Sequence, residues 1–157
     1  MTIQDWGALG ELVGGIAIIV SLIYVGLQIR QNTKAIRISA GQGMIAAWGQ
    51  SNRDIISDPG FAEVIAPILD GRADIPEGAD GLRIRLWAQN VIREGELNYY
   101  NWAAGALEER YWQQVQANGS WLLSTDAGRA IWSEVKANHG AEFRAALDDL
   151  AEKAALA

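Results

Sequence analysis

The chain has 157 residues, half of them hydrophobic and a fifth charged, with a formal net charge of −6; this is one domain's length, enough to bury a core, and not a disordered composition. No cysteine is present, which excludes a disulfide scaffold, a cysteine-ligated zinc site and thiol catalysis. Charge is unevenly spread: residues 1–29 hold two acids and no base, residues 30–57 four bases against one acid, and residues 58–157 nine bases against sixteen acids. An acidic body of that kind is repelled by nucleic acid, so no nucleic-acid partner is expected.

The first element is the uncharged stretch LVGGIAIIVSLIYVGLQI, Leu12 to Ile29, 18 residues between Glu11 and Arg30. At about 1.5 Å per residue it spans roughly 27 Å, close to the hydrocarbon thickness of a bilayer. A signal peptide would need a basic leader, and only Asp5 and Glu11 are charged before the run. A buried helix of a soluble protein would be shorter. The reading is a transmembrane helix over 9–29 after a short N-terminal segment, 1–8, with Trp6 at an interface. Arg30, Lys34 and Arg37 follow the run and nothing basic precedes it. The positive-inside rule then sets the N-terminus outside and the C-terminal bulk in the cytoplasm.

Within this helix Gly7, Gly10, Gly14, Ala17 and Ser21 recur at spacings of 3, 4, 3 and 4, which puts the small residues on one seam. The same register continues through Tyr24 and Gln28. In lipid, where apolar surface has no preference for protein over acyl chains, such a seam lets helices approach closely. Association with another copy or another integral membrane protein is expected. Glu11, an ionisable group at the edge of the span, is a candidate functional acid; the alternative is a carboxylate at headgroup level that marks the boundary.

Helical periodicity continues to about residue 57, through Ile36, Ala40, Met44, Ala47, Trp48 and Ile55, as a juxtamembrane extension over 30–57. Gly41, Gly43 and Gly49 weaken it, with a kink or break expected near Gly41 to Gly43. The string GQGMIA fits a dinucleotide fingerprint in letters only, because a helix rather than a strand precedes it.

Residues 58–157 read as an acidic helical bundle of about four to five helices. Asp58-Pro59 starts one that Asp70-Gly71 ends, and Ile75-Pro76-Glu77 leads into a longer one. Its apolar face carries Ile84, Trp87, Ala88, Val91, Ile92, Gly95, Tyr99 and Trp102, with Arg93, Glu94 and Glu96 toward water. A third helix is expected from about Leu107 to Gln116 or Leu122, with Asn118-Gly119 as a candidate stop. Ser124 or Thr125 caps a fourth, which ends at Asn138-His139-Gly140, and Phe143, Ala146, Leu147, Leu150 and Ala154 form the stripe of the last. No segment alternates as a strand would, so the fold class is all-α, with no sheet.

A single histidine, His139, in a helix-stop loop excludes a multi-histidine site, and no metal or cofactor is implied. Glu94 with Glu96, Glu108 with Glu109, and Asp148 with Asp149 are one or two positions apart and do not share a helix face. Solvated charge is their expected role. Tyr99, Trp102, Tyr111, Trp112 and Trp132 are candidates for an aromatic pocket, against the reading of plain core. No nucleophile, base and orienting group stand in a recognisable arrangement, so an enzyme is not expected.

The opening, with Trp6, Gly10-Glu11, Gly14, Ser21-Leu22, Tyr24, Gln28-Ile29-Arg30 and Asn32-Thr33, resembles the start of a widespread group of small bacterial single-span membrane proteins with no assigned activity. The tail, Gly128-Arg129-Ala130-Ile131-Trp132 and then Glu142-Phe143-Arg144, is similar to their ending. The resemblance covers most of the chain and implies a single-span helical protein. Two expectations follow for function: a membrane-anchored interaction or assembly protein acting through the seam, or a homo-oligomeric pore or transport-related assembly with Ser21, Gln28 and Glu11 facing the path. The expected location is the bacterial inner membrane, and the expected partners are the lipid bilayer and a membrane protein.

Overall fold

The structure is a computed structural model and describes residues 3–155. The helices are α1 Ile3–Ile56, α2 Pro59–Leu69, α3 Gly78–Ala103, α4 Glu109–Leu123, α5 Asp126–Val135 and α6 Ala141–Ala155. A 3-10 turn, Lys136–Asn138, joins the last two, and no strand occurs among the described residues. Two units divide after Ile38.

In the first unit α1 contains no proline and is helical from Ile3, so the separate segment expected over 1–8 is already helix; Met1 and Thr2 lie outside the described residues. Its large apolar side chains from Leu12 to Ile29 are 49–67% exposed. An 18-residue window here has a mean hydropathy of 2.3 with none of it buried. By length and composition the helix is capable of crossing a membrane.

The second unit begins at Ser39. No break occurs near Gly41 to Gly43: α1 stays helical through both. Gly41 serves packing, since Tyr111 Cε2 lies 3.2 Å from where its β-carbon would stand. Met44, three residues on, is buried with Leu107, Trp112 and Val115, and Ala40, Tyr99, Trp102 and Tyr111 pack around them. This tertiary contact offsets the roughly 1 kcal/mol that each helical glycine costs.

Helix α2 starts where its sequence signals placed it. Asp58 Oδ1 accepts the Phe61 N–H at 3.1 Å, and Pro59 occupies the first turn. Gly71 ends the following turn at φ +68°, a conformation that favours glycine. Helix α3 begins at Gly78. Helix α4 begins at Glu109, two residues after Leu107, and runs through Asn118-Gly119 to Leu123; the later expected end, Leu122, fits, and the candidate stop is overridden. Gly119 faces Leu147 Cδ1 at 3.6 Å and Leu150 Cδ1 at 3.8 Å from a notional β-carbon, so a small residue there lets α6 close on α4.

Thr125 rather than Ser124 caps α5, accepting the Gly128 N–H on its hydroxyl at 3.0 Å. A β-carbon on Gly128 would lie 1.9 Å from the Leu122 carbonyl oxygen. The main core joins Phe61, Ile65 and Ile68 of α2, Ile84, Ala88 and Ile92 of α3, Leu122 and Leu123 of α4, Ile131, Trp132 and Val135 of α5, and Phe143, Leu147 and Leu150 of α6. Phe143, one of the most deeply buried side chains, approaches α3 at Gly95.

Candidate functional site

The seam residues Gly7, Gly10, Gly14, Ala17, Ser21 and Gln28 are all exposed on α1, as is Glu11. Nothing lies within 4 Å of a β-carbon built on Gly7, Gly10 or Gly14. The polar side chains of this helix bond within it. Ser21 donates its hydroxyl to the Ala17 carbonyl at 2.8 Å, and Gln28 Nε2 donates to the Tyr24 hydroxyl at 2.8 Å. Thr33 likewise donates to the Ile29 carbonyl at 2.9 Å. Such i to i+4 bonds meet hydrogen-bonding needs that a hydrocarbon environment leaves otherwise unmet.

The five aromatic residues expected around a pocket do not enclose one. Trp102 stacks on Trp112 with centroids 5.3 Å apart, and Tyr99 meets Trp112 at 5.5 Å. Tyr111 belongs to the same group through Met44 and Gly41. Trp132 sits apart, edge-on to Phe143 at 6.1 Å, with its indole N–H donated to Asp148 at 2.7 Å. These rings fill one another's faces and edges, which is core packing.

The neighbouring acids diverge as helix geometry requires, but not all of them toward water. Glu94 accepts from the Ser51 hydroxyl at 3.3 Å. Glu96 pairs with His139 Nδ1 at 2.7 Å and accepts the Gly140 N–H at 2.8 Å. Glu109 accepts the Trp102 indole N–H at 2.7 Å, while Glu108 pairs with Arg110. Asp148 holds Trp132 and Asp149 pairs with Lys153. The His139 side chain is buried, 5% exposed, between Trp132 and Phe143. Burial pushes the Glu96 carboxyl upward, but the Gly140 N–H and the bond and charge of His139 outweigh it, leaving Glu96 below the usual carboxylate range. A small cleft of about 180 Å³ opens beside this pair, lined by Gln89, Arg93 and Asn138 among others. With the carboxylate spent on a backbone N–H and a ring nitrogen, the pair is a strut between α3 and the start of α6.

The tail motif has a structural role of the same kind. Gly128 permits the close turn onto α4, and Arg129 Nη1 donates to the Leu123 and Ser124 carbonyls at 2.9 Å each. Trp132 and Phe143 are core. None of these residues opens onto a reactive centre.

Sequence reasoning missed a different aromatic surface. Trp48, Ser51 and Asn52 of α1, Trp87 and Val91 of α3, and Asn118, Trp121 and Leu122 of α4 line a cleft of about 230 Å³. It adjoins a cavity of about 40 Å³ that shares Trp48, Val91, Asn118 and Leu122 with it and ends on Asn98, Trp112 and Phe143. The three indoles come from three helices, so no spacing along the chain announced them. No family model, curated protein or solved structure matches the chain.

Proposed function

We propose that the protein is a membrane-anchored helical assembly protein whose span associates with a second copy of itself through the small-residue seam. The observation that carries the reading is the exposure of every large apolar side chain from Leu12 to Ile29. A water-soluble surface rarely leaves so large an apolar patch uncovered, whereas lipid covers it at no cost. The span lies in a bacterial inner membrane with Trp6 at the outer interface and Arg30, Lys34 and Arg37 at the inner one, and the acidic bundle occupies the cytoplasm. Glu11 marks the outer boundary at headgroup level.

Because Ser21 and Gln28 already bond within α1, close contact of Gly10, Gly14 and Ala17 supplies most of the association, and interhelical hydrogen bonds little. Full-length chains carrying donor and acceptor fluorophores, diluted progressively with lipid, test this. Energy transfer is expected to persist on dilution for the natural sequence and to collapse for Gly14→Ile with Ala17→Ile, while Gln28→Ala changes it less than about three-fold. Unchanged transfer in the double variant, or a natural chain that is monomeric at high density, would overturn the seam. Steady single-channel conductance would favour a pore instead.

A further inference from the structure

The geometry points to a binding site for a small quaternary ammonium compound in the cleft walled by Trp48, Trp87 and Trp121. Most other tryptophans of the bundle are spent on packing: Trp102 and Trp112 stack on each other, and Trp132 is pinned to Asp148. Trp48 and Trp121 are not, and Trp87, which packs against the main core, also opens onto the cleft. Trp87 donates its indole N–H to the Ser51 carbonyl at 3.3 Å, which fixes that ring across the α1 to α3 junction. The Trp48 and Trp121 rings stand in no stack and their indole N–H groups in no hydrogen bond among the described residues, although the Trp121 carbonyl accepts from Ser124, and Trp121 is 49% exposed. An indole held half in water at the mouth of a cleft loses apolar burial unless something seats against it.

Charge selects the occupant. Among the described residues no charged side chain lines the cleft, and the Glu94 carboxylate bonds Ser51 of its wall. Arg53 and Asp54 both bond Gln50, the guanidinium donating to its amide oxygen and the carboxylate accepting from its nitrogen, so these two opposite charges offset each other. The one charge bonded to a lining residue is thus negative, which disfavours an anion. An organic cation meets three indoles and a favourable field, the combination that binds quaternary ammonium groups. At the inner end Asn98, 4% exposed, lines the adjoining cavity with its amide. A cavity of about 40 Å³ admits a hydroxyl-sized group and little more. The ligand is therefore an ammonium carrying a short arm that ends in a hydroxyl.

The test is a titration of the full chain in a neutral, choline-free detergent, followed by tryptophan fluorescence and calorimetry. Choline is the probe, and 3,3-dimethylbutan-1-ol is its uncharged isostere. Choline is expected to bind saturably, and the isostere about ten-fold more weakly or less. Trp121→Ala is expected to weaken choline about ten-fold, and Glu94→Gln several-fold, with the helical content by circular dichroism retained. Equal binding of the isostere, undiminished binding in Trp121→Ala, or no saturation with choline would overturn the site. Where Trp121→Ala fails to fold, Glu94→Gln decides, because it keeps a partner for Ser51 and removes only the charge. Binding to phosphatidylcholine bilayers without binding to choline would replace the soluble ligand by a lipid headgroup and overturn the proposal as stated.

Discussion

Glu94 and Glu96 stand two positions apart on α3, and their surroundings push their pKa values in opposite directions. Burial lifts the Glu94 carboxyl above its ordinary value, with the Asp54 charge adding to it and the Ser51 hydroxyl opposing. For Glu96 burial is outweighed by the Gly140 N–H and His139. The stability consequences have opposite signs. Folded Glu94 takes a proton before the unfolded chain does, so acidification toward its reference value of 4.5 stabilises the fold. Folded Glu96 holds its charge longer than the unfolded chain, so its contribution is complete above 4.5 and is lost as pH falls through its lower folded value. Thermal melts of the full chain followed by circular dichroism should show Glu94→Gln more stable at pH 7, with a smaller gain between pH 7 and pH 5. Glu96→Ala should cost about 2 kcal/mol at pH 7, the worth of a charge-assisted pair of bonds at a half-buried site, and should flatten the acid limb. An unchanged slope between pH 7 and pH 5 in Glu94→Gln would refute the assignment to that carboxyl.

At the level of whole elements, helix ends decide how the bundle closes. The last carbonyls of a helix have no partner within it, and at α4 two outlying ones, Leu123 and Ser124, are met by a single nitrogen of Arg129, whose other nitrogen reaches Asp126. One guanidinium therefore ties the end of α4 to the start of α5. Arg129→Ala is expected to lower stability by about 1–2 kcal/mol in a denaturant melt. Arg129→Lys should recover less than half of the loss, because an ammonium lacks the planar fork that serves both groups; full recovery by lysine would show that charge alone matters. The helix starts at Asp58-Pro59 and Thr125 were legible because capping is a contact between residues three apart. Asn118-Gly119 misled because a local turn preference of about 1 kcal/mol loses to burying α4 against Leu147 and Leu150, a contact that spans some thirty positions and has no local signature. Gly41 misled for the same reason, through Tyr111.

Over the whole chain, composition and hydropathy made the two parts legible: an uncharged run with a basic flank, and an acidic helical bundle. They did not reveal what brings distant residues together. Glu96 and His139 are 43 positions apart, so Glu96 looked solvated when read in its own segment, and the cleft draws one tryptophan from each of three helices. The absence of cysteine, which at first removed thiol chemistry, supplies the means to test the topology, because any introduced thiol is unique in the chain. Gln4 and Ser133 are both exposed and lie on either side of the apolar run. In intact spheroplasts a membrane-impermeant maleimide should label Gln4→Cys at once and Ser133→Cys only after lysis. The opposite pattern would invert the orientation read from Arg30, Lys34 and Arg37. Labelling of both in intact cells, or of neither until lysis, would place both residues on one side and remove the anchor on which the proposed function rests.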